Sequence, residues 1–497
     1  MGKRTIVPFG PQHPALPEPV HLDLELEDET VVRAIPSIGY VHRGLEKLVE
    51  KRDYQQMTYI MERVCGICSF GHGYGYVGAV EGLMGVEIPD RARMLRIVFH
   101  ELSRVHSHLL WMGLLADGMG FDSLFMRCWR IRERVLDVFE AITGGRVIVS
   151  FCRIGGVSTD VTDEQIRMIR SAVDRIEKEV EATAPVFLRD ASVRSRLKGV
   201  GAISRDDMID LCGVGPTARG SGVCNDVRRL DPLYGELGFS PVLRDDGDCL
   251  ARCEVRIEEL LQSLRIIREA LGRLPAGEWR TPVKGNPPVG EYAFRVEQPR
   301  GEAFYYVKGN GTKFLERARV RTPTNINIAA MTRMLQGCSL QDVSMIIITI
   351  DPCISCTERR WHGIHEDGCE APLESGEKAR NKKLSCHSTR IPSRQPRTSR
   401  VRSVGLHTVQ HLRQEVPCRR HTGGQEGPHG DDTENAVRPM RILRRILSEK
   451  LPVSRSGLYA AGFNQGYRRL HRPRKGEADE RNGREGSACL KPSNDLI

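Results

Sequence analysis

The chain has 497 residues, 40% of them hydrophobic, which is enough to bury a large core as one or two domains. Its formal charge of +10 arises from 74 basic and 64 acidic residues, but much of the excess falls after Arg359, in stretches such as 390–397 and 468–474. Those stretches lack interleaved aromatics on which bases could stack, so nucleic acid is not expected as a partner.

Residues 1–7 have no apolar core of the kind a signal peptide needs, and no run reaches the roughly 18 apolar residues of a membrane span. A reducing cytoplasm is therefore expected. Of the 15 cysteines, Cys128, Cys152, Cys212, Cys224, Cys249, Cys253 and Cys338 are expected to be small buried apolar residues.

In chain order, Val20, Leu22, Leu24 and Leu26 alternate with polar residues, the period-two pattern of a half-buried strand in a small N-terminal sheet. Over 91–117, Leu95, Val98, Leu102, Val105 and Leu109 recur at three- and four-residue steps and predict a helix with one buried stripe. Ile166, Ile169, Val173, Ile176 and Val180 predict a second, with Arg175 and Lys178 on its wet side. Residues 255–271 predict a third through Ile257, Leu260, Leu261, Leu264, Ile267 and Leu271. Pro and Gly breaks around Phe304, Tyr305 and Tyr306, within 286–313, suggest a second small sheet. The run 345–350 is a buried β-branched segment leading rigidly into Asp351-Pro352. The fold expected is mainly α with small β-sheets, an α+β class.

The chemistry lies in two Cys-x-x-Cys pairs, Cys65-Gly66-Ile67-Cys68 and Cys353-Ile354-Ser355-Cys356. Soft thiolates select zinc, copper(I), nickel, iron or iron-sulfur clusters over hard cations. A structural zinc ribbon usually sets its pairs roughly 15–20 residues apart, whereas these are hundreds apart. Spacing alone favours a site buried between distant segments of a large domain, and leaves zinc and a redox disulfide open.

The flanking strings, Arg63-Val64-Cys65-Gly66-Ile67-Cys68 with His72 and Asp351-Pro352-Cys353-Ile354-Ser355-Cys356-Thr357, resemble the two signatures of the large, catalytic subunit of nickel-iron hydrogenases. The strings 10–15 with Glu18, Arg43-Gly44-Leu45-Glu46, 215–222 and Pro299-Arg300-Gly301-Glu302 look like its membrane-bound, energy-converting branch. That branch shares ancestry with the quinone-binding core subunit of respiratory complex I, which keeps the fold but not the four cysteines. The resemblance covers about residues 5–359.

The resemblance implies a helical core with an N-terminal small sheet and a nickel-iron centre, in which Cys65 and Cys353 are terminal ligands and Cys68 and Cys356 bridge the metals. It also implies carbon monoxide and cyanide on the iron, and maturation proteins to assemble the centre. Cleavage of dihydrogen yields a hydride and a proton that must leave, so a base and a relay are needed. By position, Arg300 would lie over the metals and Asp351 would hold it. The alternative is that Arg300 merely pairs with Glu297 or Glu302. Glu18 and Glu46 are candidate proton relays, while His13 and His72 are candidate site histidines, His72 donating to a bridging sulfur.

No dedicated iron-sulfur cluster run stands in frame, so electrons need a partner. An iron-sulfur small subunit, a ferredoxin-like subunit and membrane subunits are implied, with the chain peripheral on the inner face of the cell membrane. The alternative functions are a quinone-reducing core subunit of the NADH-quinone oxidoreductase type, and a non-catalytic assembly subunit.

After Arg359 apolar periodicity vanishes and Arg, Ser, Pro, Gly and His dominate, so 360–497 reads as a basic, disordered tail. Re-reading its codons from the second base makes the junctions after Leu406, Val409, Leu412 and Val416 compatible with Cys. The hidden string would be Cys-x2-Cys-x2-Cys-x3-Cys, the bacterial cluster-binding run. An out-of-frame reading of a downstream ferredoxin-like gene is the expectation for this tail. Thr357-Glu358-Arg359 also follows Cys356 where other branches have a His, which leaves C-terminal processing open.

Overall fold

The computed structural model describes residues 4–14, 16 and 18–358; the tail 360–497, with the expectation attached to it, lies outside them. Alternation makes the N-terminal sheet. Strands β1 (Arg4–Phe9), β2 (His21–Glu27) and β3 (Thr30–Ser37) form an antiparallel meander, in which Leu22, Leu24 and Leu26 of β2 turn inward. A two-stranded ribbon, β4 (Cys152–Arg153) with β5 (Gly156–Val157), follows in mid-chain. The second three-stranded sheet joins β6 (Gly290–Gln298), β7 (Gly301–Gly309) and β8 (Leu315–Arg321), all antiparallel.

The helical body comes from the apolar stripes, whose helices run slightly longer than the stripes themselves: Asp90–Gly118, Asp163–Glu181 and Cys249–Gly272. Thr162 explains one early start. Its side chain takes the Gln165 amide while the Gln165 side chain takes the Thr162 amide, a capping box that satisfies two otherwise orphaned donors. Asp248 caps the third helix through the Ala251 amide. Helices Asp90–Gly118 and Cys249–Gly272 are the centre of the body, with Leu95, Leu102, Leu109, Leu260 and Leu264 fully buried.

The run before Asp351 is buried throughout and is helical, Val343–Ile350. β-branched residues favour strands in isolation, but this segment packs against both central helices, and burial overrides a propensity difference of less than about 1 kcal/mol per residue. Its carbonyls are also held by the core: Trp111 Nε1 donates to Ile348 O at 2.8 Å and Arg256 to Ile350 O at 3.0 Å. The second cysteine pair is thereby delivered on a fixed helix.

Three cysteines depart from expectation. Cys212 is exposed, in a loop where its φ is 57°, and Cys224 and Cys338 are half-buried. The Cys224 sulfur meets the Arg229 guanidinium at 3.1 Å, and the Cys338 carbonyl accepts from Val31 at the edge of β3. Cys128, Cys152, Cys249 and Cys253 are buried.

Candidate metal centre

The first pair sits at the mouth of the Ser69–Met84 helix, directly after the Met57–Glu62 helix. The Arg43 guanidinium clamps the approach, donating to the carbonyls of Arg63 (2.9 Å) and Val64 (2.6 Å). The second pair opens the single turn Ile354–Thr357. Thr324 Oγ1 accepts from the Cys353 amide at 3.1 Å, and Thr322 Oγ1 donates to the Cys356 carbonyl at 3.0 Å, so the end of β8 and the helix after it hold this turn.

The two pairs meet. Cys353 Sγ lies 3.2 Å from Cys65 Sγ and 3.0 Å from Cys356 Sγ, while Cys68 Sγ lies 3.4 Å from Cys356 Sγ. All four sulfurs fall within 4.8 Å of one another and all four residues are buried. Sulfurs around one tetrahedral metal at about 2.3 Å stand roughly 3.8 Å apart; the closest pairs here are drawn in to 3.0–3.4 Å and the set spans up to 4.8 Å, a range that brackets thiolate ligation of a soft transition metal. The thiols are unequal. The Cys68 thiol is held well below its usual range by hydrogen bonds from Cys353, Cys356 and Cys65, while burial first of all pushes Cys356 up.

Arg300 and Asp351 face this cluster from opposite segments. Arg300 occupies the two-residue turn between β6 and β7, and the backbone of Gly215 packs so close that a Cβ there would stand 2.2 Å from the Arg300 carbonyl. Its Nε donates to the Asp351 carbonyl (2.8 Å), one terminal nitrogen to Asp351 Oδ1 (2.7 Å) and the other to Ser107 Oγ (3.1 Å). Glu297 pairs instead with Arg219, and Glu302 with Arg321. Burial opposes the charge on Arg300, but Asp351 and the thiols of Cys353, Cys68 and Cys65 together raise its pKa above the usual value. Asp351 takes a left-handed backbone, φ 59°, which an Asp tolerates and which turns its carbonyl toward Arg300. Its Oδ2 has no hydrogen-bond partner among the described residues, and burial raises its pKa against the pull of Arg300 and Arg256.

His72 lies one turn beyond Cys68, and its Nε2 is 3.3 Å from Cys356 Sγ. Its Nδ1 is 2.8 Å from the Tyr305 hydroxyl, which in turn accepts from Gln298 Nε2 at 2.9 Å. The Tyr305 hydroxyl also reaches the Gly71 carbonyl at 3.5 Å; where it donates to Nδ1 instead, the His72 proton sits on Nε2 facing the sulfur. Tyr305 and Gln298 carry no motif in the sequence; the even-odd pairing of a sheet edge with a Cys-proximal histidine becomes visible once β6 and β7 are in register.

His106 is a second histidine that the sequence leaves unmarked. It hydrogen-bonds the backbone of Ile67, between the first two cysteines. Arg132 donates to its Nε2 at 2.7 Å, and burial, then Arg132, push its pKa down to about 3, which keeps it neutral.

Glu18 reaches the second pair from the N-terminal side, its carboxylate accepting from the Ser355 amide at 2.9 Å and from the Ser355 hydroxyl. Glu46 accepts from the Val320 amide on β8 at 3.1 Å. His13 stacks on Phe9, with ring centroids 3.9 Å apart, in the β1–β2 connection. Glu358, just past the second pair, is buried and accepts from the amides of Gly39 and Val41.

A buried four-thiol site beside a guanidinium has the donor set of a soft-metal site. Residues 43–116 match the nickel-dependent hydrogenase family, and residues 118–285 and 281–359 match the 49 Kd subunit of respiratory-chain NADH dehydrogenase. The membrane-bound hydrogenase subunit alpha of Pyrococcus furiosus is 39% identical over 371 residues, covering 71% of this chain and 87% of that protein. The carbon monoxide-induced hydrogenase of Rhodospirillum rubrum is 39% identical over 360 residues, 71% of this chain and 99% of that protein. An NADH-quinone oxidoreductase subunit of Koribacter versatilis is 33% identical over 386 residues, covering 72% of this chain and 96% of that protein. Among solved structures, a chain of the membrane-bound sulfane sulfur reductase, an archaeal respiratory membrane complex, matches with a TM-score of 0.69 at 30% identity, over 72% of this chain and 98% of that one. The chain belongs to the family that joins the large subunits of membrane-bound nickel-iron hydrogenases to the 49 Kd subunits of respiratory-chain NADH dehydrogenase. Among the described residues no helix is long and apolar enough to cross a membrane.

Proposed function

We propose that this chain is the catalytic large subunit of a nickel-iron hydrogenase, interconverting dihydrogen with protons and electrons inside a membrane complex. The observation that carries the reading is the meeting of Cys65, Cys68, Cys353 and Cys356 at one buried point. A nickel-iron centre held by these sulfurs would supply the dihydrogen-splitting chemistry. Around it Arg300, fixed by Asp351 and Ser107, presents a permanent positive charge over the thiolates and anchors the geometry. His72 donates to Cys356. Glu18, bonded to the turn between Cys353 and Cys356, would pass protons from the thiolate side toward the N-terminal loop, with Glu46 as a second step. Electrons would leave through an iron-sulfur small subunit to a ferredoxin-like partner, with the complex docked on the cytoplasmic face of the membrane by partner subunits.

The test is metal analysis of the chain produced with hydrogenase maturation proteins, together with hydrogen-dependent dye reduction by the assembled complex. Nickel near one per chain is expected. Cys353→Ser should remove it, since a hydroxyl is a harder and poorer ligand than a thiolate. Zinc or no metal in the wild-type protein would overturn the reading.

The match of residues 118–359 to the 49 Kd subunit favours quinone reduction as the second reading. Nickel-independent quinone reduction by the complex would select it.

A further inference from the structure

Beside the thiol site, four carboxylates and three guanidiniums meet in a buried network. It lies between the two central helices, the Gly215–Arg219 turn and the end of β6. Arg104 contacts Glu101 at 3.1 Å, and Arg228 contacts Glu101 at 3.3 Å and Asp226 at 2.8 Å. Arg219 serves three carboxylates at once: Glu259 at 2.7 Å, Glu297 at 2.8 Å and Asp226 at 3.2 Å. No member is more than 5% exposed.

Among the described residues in direct contact, then, there is one more carboxylate than guanidinium. His108, 3.3 Å from Glu259, does not make up the difference, because burial keeps it neutral with a pKa of about 4. The next cation, Arg256, donates to the carbonyls of Arg252 and Ile350 and feels Asp351 before it feels Glu259. Tyr234 and Ser263 donate to Glu101 and hold it ionised. An uncompensated buried charge is costly, and the usual escape is to bind a proton.

The geometry says where. Asp226 Oδ2 and Glu297 Oε1 both address the same terminal nitrogen of Arg219, so two carboxylates converge on one donor. Like charges held so close do not both ionise readily. We propose that Asp226 and Glu297 form a dyad that stores one exchangeable proton within the fold. Burial, reinforced by Asp226, pushes Glu297 up to about 7, whereas Asp226, Glu101 and Glu259 are all held low by their arginines against burial.

Release leaves a third carboxylate on Arg219 and moves no electrons. Arg104 fixes the end of the strand that carries Glu297, donating to the backbone carbonyls of Glu297 (2.6 Å) and Gln298 (3.2 Å). The Gln298 side chain then leads through Tyr305 and His72 to Cys356. Its use in turnover rests on the proposed function, but its existence requires no metal.

Infrared spectroscopy of the full chain, with protonated-carboxyl absorption followed from about pH 5 to about pH 9, tests the proposal. Measurements are made in a Glu62→Gln background, because Glu62 is another carboxyl raised to about 7. A carboxyl band fading with a midpoint near pH 7 is expected, and Glu297→Gln should abolish it. Asp226→Asn removes the neighbouring charge and should lower the midpoint by about one unit or more, a tenfold loss of proton affinity. No such band in the Glu62→Gln chain, or a band that survives Glu297→Gln, overturns the proposal. If Glu297→Gln does not fold, an unshifted midpoint in Asp226→Asn does so alone. These readouts are unaffected by whether the thiol site takes nickel.

Discussion

A buried carboxyl group with too few partners keeps its proton, and Glu62 is such a group. It ends the Met57–Glu62 helix three residues before Cys65; Ser150 Oγ donates to its Oε2 at 2.6 Å, and its Oε1 has no partner among the described residues. Burial raises its pKa to about 7, against smaller opposing effects of Ser150, Arg153 and Arg63. The folded chain therefore holds a proton that the unfolded chain releases above about 4.5, so stability falls as pH rises from there to about 7. The shift corresponds to roughly 3 kcal/mol at most, and Glu62→Gln should flatten the dependence by that amount, read from denaturant midpoints at pH 5 and pH 8. An unchanged slope would mean the carboxyl is solvated. Glu18 makes a contrasting case, since both of its bonds run to Ser355, inside the second cysteine pair. Glu18→Gln keeps the shape and removes the titratable group. Isotope exchange between hydrogen and water should fall at least tenfold while nickel content stays normal, and unchanged exchange would move the proton path to Glu46.

At the scale of elements, one helix explains why His72 is where it is. Gly71, Gly75, Gly78 and Gly82 lie along one face of the Ser69–Met84 helix, and the Gln298, Tyr305, Phe294 and Tyr292 side chains of β6 and β7 lie against them. A Cβ on Gly75 would stand 2.1 Å from the Tyr305 ring. The bare face lets the sheet come close enough for the Tyr305 hydroxyl to reach His72 Nδ1. Gly75→Ala should destabilise the fold by about 1–3 kcal/mol through overpacking, even though Ala is the better helix former. A thermal shift upward would refute the close contact. That spacing was open to view in the sequence, but glycine reads there as a helix breaker and not as a packing face. The apolar stripes of 91–117, 166–180 and 255–271 were legible because their period is the helix period, and β2 because its period is two. The Arg219, Arg228 and Glu101 network was not legible, since charged residues read as solvated until a partner from a distant segment neutralises them. The site followed the same rule. Local signatures marked the cysteines, Arg300 and His72, while Tyr305, Gln298 and His106 depend on contacts across the fold.

For the whole molecule, the question is how much of the chain the metal site needs. Among the described residues, Thr322, Thr324, Arg300, His72, Glu18 and Arg43 touch the four sulfurs or fix their turns. Glu358 is the last of these supports. Buried, it takes the amides of Gly39 and Val41 and so binds the end of the second cysteine turn to the loop that leads into Arg43. The family match also ends at residue 359. Beyond it the sequence offers little periodic apolar surface to repay the entropy of ordering. We therefore expect a chain ending at Arg359 to keep the nickel content and melting temperature of the full chain, with Tm within about 1–2 °C, the shift that 1 kcal/mol would produce at about 2.1 cal/mol/K per residue over that length. Glu358→Ala in the same truncated chain should lower both, because the Gly39 and Val41 amides lose the carboxylate that ties their loop to the cysteine turn, at about 0.5–1.5 kcal/mol each. Loss of nickel on truncation alone would make residues 360–497 part of the working protein. It would also remove the case for reading them as an out-of-frame extension, which resequencing of the source DNA around the codon for Arg359 checks directly.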